Sequence, residues 1–223
     1  MQEGLGIDDA VIRLCRDWDN WGGSFYELGF RFDPGSFDQD ARLHLLCHVW
    51  HHPPLLGVVE LPDDFGHPWL GTDDLLHTED AWHYYGCIRF DENDIVGCGS
   101  VFSGTSDGLW FILYVPLTMV GRVYPVDYEF PITHEGNPWT LKVDELLAAI
   151  GRSVYQEFPF VLGVLGEEAS SMPLDMRMAN LAYGTQLLIP EPLFHRMGVI
   201  PHGLRFPEGL WWTRGKEKTA KTY

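Results

Sequence analysis

Apolar positions along this chain recur at helical spacing in three stretches and gather into short strand-like runs between them. In the first stretch Asp8 can cap a helix that carries Val11, Leu14, Cys15 and Trp18 on one face, and the sequence NWGGS at 20–24 ends it. Residues 25–32, FYELGFRF, then read as a strand with Phe30 and Phe32 on one side, and Asp33-Pro34-Gly35 turns the chain. The second helical stretch is 38–51, where Leu43, Leu46, Cys47 and Trp50 form an apolar stripe. Leu43, Leu45, Cys47 and Val49 also alternate, so a strand competes there. The third stretch has Val143, Leu146, Leu147, Ile150 and Val154 among strong helix formers. Residues 55–61 and 160–165 are almost continuously apolar and predict strands buried on both faces. Three further strands, 84–90, 95–102 and 109–115, are separated by turn-forming residues and predict a meander. Strands at 183–189 and 210–213 flank a segment rich in proline.

The second and third helical stretches are each succeeded by the same set of anchor residues. Pro53, Leu56, Gly57 and Val58 have counterparts in Pro159, Leu162, Gly163 and Val164. Tyr85-Gly86 answers to Tyr183-Gly184, and Gly108-Leu109-Trp110 to Gly209-Leu210-Trp211. This match selects helix for 38–51. It also predicts an α+β protein made of two diverged copies of a strand–helix–strand–meander unit, with a mostly antiparallel sheet and helices on one face. The expected divisions are an N-terminal helix and Gly turn at 1–24, repeats at 25–120 and 125–213, and a basic tail at 214–223.

Charge narrows the partners. The 223 residues carry 15 Lys and Arg against 32 Asp and Glu, a net charge of −17. Arg214, Lys216, Lys218 and Lys221 lie in the tail with only Glu217 opposing, so the rest has 11 basic against 31 acidic residues, a net of −20. Such a body repels nucleic acid and anionic lipid and steers a basic partner at long range. Four cysteines without CxxC spacing (Cys15, Cys47, Cys87 and Cys98) read as reduced thiols. The acidic N-terminus lacks the pattern of a signal peptide, and the longest near-apolar run, 109–120, is short of the roughly 20 residues that span a membrane. A cytoplasmic protein is the expectation.

Candidate chemistry is sparse. His44, His48 and His51 fall at i, i+4 and i+7 of the 38–51 helix, with His52 beside them, a spacing that stacks imidazoles for a divalent metal such as zinc. Leu45 stands where the glutamate of an HExxH motif would be, and a half-exposed helix flank explains the spacing equally. Gly104-Thr105-Ser106-Asp107-Gly108 spells G-x-S-x-G, but a nucleophile elbow needs a helix after the serine and a strand comes next here. Glu167 and Glu168 close a buried strand, where carboxylates are presented to clefts, and solvation of a strand end is the plainer reading. Cys98 sits between Gly97 and Gly99, although an isolated cysteine is more often core than nucleophile. The long segment 62–80 interleaves Asp63, Asp64, Asp73, Asp74, Glu79 and Asp80 with His67, Trp69 and His77. Trp69 there and Trp21 in the Gly-rich turn combine exposed aromatics with carboxylates, which is an interface composition. Met172, Met176 and Met178 offer either an adaptable surface or core.

The sequence thus predicts an acidic, cofactor-free protein-binding module, in its most specific form an inhibitor or immunity-type protein that neutralises a basic partner. Its expected contact residues are Asp63, Asp64, His67, Trp69, Asp73, Asp74, His77 and Trp21. The alternative is a small-ligand or metal-dependent enzyme with its site between the repeats and His44, His48 and His51 as ligands.

Overall fold

A computed structural model describes residues 17–33, 35, 37–58, 83–105, 108–129, 132–170, 185–197 and 203–213. Its strands are β1 (Phe25–Phe32), β2 (Leu55–Val58), β3 (His83–Arg89), β4 (Ile95–Thr105), β5 (Gly108–Pro116), β6 (Leu162–Glu167), β7 (Gln186–Pro190), β8 (Gly203–Arg205) and β9 (Leu210–Thr213). All nine form one sheet in the order β2-β3-β4-β5-β1-β6-β7-β9-β8, with every neighbouring pair antiparallel. The helices are α1 (Gln39–Trp50), α2 (Leu117–Val120), α3 (Trp139–Glu157) and α4 (Glu191–Met197), preceded by a 3-10 turn at Trp18–Trp21. The protein is an α+β fold on a mostly antiparallel open sheet. None of the described helices is long and apolar enough to cross a membrane.

β1 lies at the middle of the sheet, between β5 and β6, so Tyr26, Leu28 and Phe30 are buried beneath the helices while Glu27 and Gly29 are buried on the reverse side. The helix face holds the main core. α3 contributes Val143, Leu147, Ile150 and Val154, spaced as the sequence pattern requires. Gly151 lets α3 approach the sheet closely, since a Cβ there would run into Leu188 of β7.

α1 begins at Asp38, whose carboxylate accepts a hydrogen bond from the Ala41 N–H at 2.8 Å. Its buried side chains are Leu45, Leu46, Val49 and Trp50, whereas Leu43 and Cys47 are half-buried. The expected stripe is therefore rotated. α1 touches the sheet on one side and α3 on another, and Cys47 turns into the seam between the helices. Trp50 Nε1 fixes the sheet-facing side by donating to Ser100 Oγ at 3.0 Å.

Three expectations need correction. β2 stands at the sheet edge rather than buried on both faces, and its Leu56 is half-buried, while β6 takes the doubly covered central place. Helices are not confined to one face. Leu193, Phe194 and Met197 of α4 pack with Trp110, Leu162, Val164, Leu187 and Ile189 on the reverse side. The proline-rich segment contains this helix and β8, because Pro192 stands in the first turn, where a missing N–H costs nothing. Thr105 pairs with Gly108 to close the β4–β5 hairpin, and β5 continues from it as a strand. Ser106 and Asp107 lie outside the described residues, as do the expected first helix up to residue 16, Met172, Met176, Met178 and the tail.

Candidate functional site

The histidines of α1 face a groove between α1 and α3. Its volume is about 510 Å³, and it is lined by His44, Cys47, His48, His51, His52, Pro53, Ser153, Glu157 and Phe158. Helical spacing brings His44, His48 and His51 to this flank from one side, and Ser153 and Glu157, four residues apart on α3, reach it from the other. His48 sits between them. Its Nε2 is 2.9 Å from Ser153 Oγ and its Nδ1 is 3.2 Å from Glu157 Oε2. The Glu157 carboxylate only accepts, which places the His48 proton on Nδ1 and leaves Nε2 to accept from the serine hydroxyl. Phe158 meets the His48 ring edge-on, with centroids 5.6 Å apart. His51 Nδ1 donates to the Cys47 carbonyl at 2.6 Å. His52 Nδ1 is buried without a hydrogen-bond partner, and burial, reinforced by His48, pushes its pKa below the ordinary histidine value.

The three histidines that the sequence aligns on one helix flank line this groove together. Among the described residues no group of three or more His, Cys, Asp or Glu side chains is arranged to hold a metal ion. Both ring nitrogens of His48 are engaged by α3, and the Nδ1 of His51 is engaged by its own helix.

Trp21 is also not the exposed aromatic that its Gly-rich surroundings suggest. It is 7% exposed, and its ring meets Tyr85 at 4.8 Å and Tyr114 at 6.3 Å, both edge-on. The 3-10 turn is pinned by Thr118, whose hydroxyl contacts the Asn20 and Gly22 carbonyls and lays Trp21 against β3 and β5. Asp63, Asp64, His67, Trp69, Asp73, Asp74 and His77 lie outside the described residues.

A second polar constellation lies buried where β1, β6 and β7 meet the start of α3. Asp144, fully buried, accepts from the Tyr26 hydroxyl at 2.6 Å through Oδ1 and from Gln186 Nε2 through Oδ2. His134 Nε2 lies 3.5 Å from the same Oδ2, and its Nδ1 is 2.7 Å from Thr140 Oγ1. Trp212 Nε1 donates to Gln186 Oε1 at 2.8 Å. Glu167 stands opposite Tyr26 in the β1–β6 register and accepts from the Ile132 N–H at 3.3 Å. Burial raises the Glu167 pKa, with a smaller push from Glu168, while the hydrogen bonds from Ile132 and Ser24 oppose it. Glu168 is the turn residue. It accepts from the Phe25 N–H at 3.0 Å and adopts a left-handed φ of 48°. Of the two glutamates noted at the strand end, Glu168 therefore ties β6 to β1 and Glu167 ties it to Ile132. Cys98 is likewise fully buried.

The exposed surface near the start of α3 is acidic. Asp91, Glu92, Asp127, Glu129, Glu135 and Glu145 are all exposed there, and Lys142 pairs with Asp91 at 2.5 Å. Tyr128 and Leu141, at 59% and 40% exposure, belong to the same stretch. The signal was present in the sequence as a carboxylate-rich run without cations between residues 127 and 135. Comparison of the chain with protein-family models, with curated proteins and with solved structures found no match.

Proposed function

We propose that this chain is an acidic cytoplasmic binding module that captures a basic protein partner, in the specific form of an inhibitor or immunity-type protein. The observation that carries this reading is the net charge of −20 outside the tail, joined to an exposed acidic surface at the start of α3 that also presents Tyr128 and Leu141. An aromatic and an aliphatic anchor within a charged rim suit an interface in which the rim steers encounter and the anchors slow release. The carboxylates of residues 62–80 add to the same field. Cys47, Cys87 and Cys98 stand as thiols, which suits a reducing compartment. Duplication of one ancestral unit belongs to this reading too. It is supported by the matched sequence anchors and by the order in which a helix precedes antiparallel strands in both halves.

The test is capture by the immobilised chain at low salt and at about 0.5 M salt, where the screening length is only a few ångströms. The wild type and a variant combining Glu129→Gln, Glu135→Gln and Glu145→Gln should fold alike. A basic protein retained by the wild type should elute at high salt and be held much less by the variant. Retention indifferent to both changes would remove the charge argument.

A further inference from the structure

We infer that the groove between α1 and α3 is a carboxylic-ester hydrolase site, with Ser153 as nucleophile, His48 as general base and Glu157 as the residue that positions His48. This goes beyond partner binding and does not depend on it. Nucleophilic serine catalysis requires a hydroxyl within hydrogen-bond reach of a base, and a third group that fixes the base in the right tautomer. The structure supplies that sequence of contacts in order. Ser153 Oγ is 2.9 Å from His48 Nε2, and His48 Nδ1 is 3.2 Å from Glu157 Oε2. All three residues line one groove, so the serine is presented to space large enough for a small ester. Phe158 holds the imidazole from the side, and Pro53 with Phe158 gives the groove its apolar wall.

The chemistry balances with water as the only co-reactant. Ser153 Oγ attacks the ester carbonyl carbon while its proton passes to His48 Nε2. The bond from that carbon to the alkoxy oxygen then breaks, and the alcohol leaves with the proton from His48. Water, deprotonated by His48, cleaves the acyl-serine, releasing the carboxylic acid and restoring the hydroxyl. Glu157 takes no proton in these steps and keeps the Nδ1 proton of His48 directed towards itself.

Ser153 lies within α3, where neighbouring backbone N–H groups are committed to the helix, so the developing oxyanion needs a side-chain donor. A site that relies on side chains in place of a backbone pair turns over slowly. The acidic body selects against anionic esters and in favour of neutral ones.

The experiment uses the full chain with p-nitrophenyl acetate and p-nitrophenyl butyrate as substrates and a fluorophosphonate as covalent probe. Free imidazoles hydrolyse such activated esters unaided, so the site of labelling decides. The expected result is a single phosphonyl adduct on Ser153, absent in Ser153→Ala and in His48→Gln. Hydrolysis should fall on the order of 10²-fold in Ser153→Ala, the scale of a lost nucleophile–base pair. Helical circular dichroism should be unchanged, since alanine favours the helix. Glu157→Gln should lower kcat with KM unchanged and displace the acid limb of the pH profile, which a purely structural role would not do. An adduct on another residue, no adduct, or hydrolysis undiminished in Ser153→Ala would overturn the inference.

Discussion

The hydroxyl of Tyr26 on β1 donates to Asp144 Oδ1 on α3 at 2.6 Å, joining two residues 118 positions apart inside the core. Neither is tolerable there alone. A buried carboxylate without donors costs far more than the hydrogen bond it forms is worth, and burial together with Asp144 raises the Tyr26 pKa well above its ordinary value. The pair therefore specifies how α3 is seated on the sheet.

Tyr26→Phe removes one donor from Asp144 and leaves the charge buried, which should cost about 2–3 kcal/mol in urea unfolding. Asp144→Asn in the same background should recover part of that loss, because the neutral amide is cheaper to bury. Additive effects of the two substitutions would show that the residues are not coupled.

Glu167 gives a pH prediction. Its folded pKa is raised by burial, so the contribution it makes is fully present below the unfolded value and is lost as pH rises through the folded one. At pH 7 the ionised side chain is held at a cost. Glu167→Gln should accordingly raise Tm at pH 7, and the gain should shrink towards zero as pH falls below about 4, where both states are protonated. A gain of equal size at acid pH would place its cause elsewhere.

Gly99 on β4 lies opposite Tyr114 on β5, and a Cβ there would meet Tyr114 Cζ and Oη at 2.5 Å. Tyr114 has little freedom to yield, since it packs edge-on against Trp21 and Phe25. Gly99→Ala should destabilise by about 1–3 kcal/mol, the range for overpacking. Adding Tyr114→Leu, which removes the obstructing ring end, should make the alanine nearly neutral in the double variant, as read by denaturant midpoints.

Local features of this protein are written in its residue spacing. The Phe25–Phe32 strand, the β3–β4–β5 meander, the helical character of 139–157 and, once 39–50 is a helix, the common groove-facing flank of His44, His48 and His51 come from patterns within a few turns or one hairpin, whereas the local pattern at 39–50 also admits a strand. The acidic balance was equally plain. Long-range packing, in contrast, assigns each of two chemically similar segments its place. β2 and β6 are both short apolar runs, yet one becomes an edge and the other a centre, because pairing with β1 is settled by long-range competition that no local pattern records. Trp21 looked exposed among glycines and is buried because Thr118, nearly a hundred residues away, closes its turn. The proline-rich segment around Pro192 holds a helix, Glu191–Met197. The Ser153–His48–Glu157 and Tyr26–Asp144 contacts were invisible for the same reason. Serine, tyrosine and carboxylates are common at helix and strand positions, and only the packing of α3 against α1 and β1 converts sequence separations above one hundred residues into hydrogen bonds.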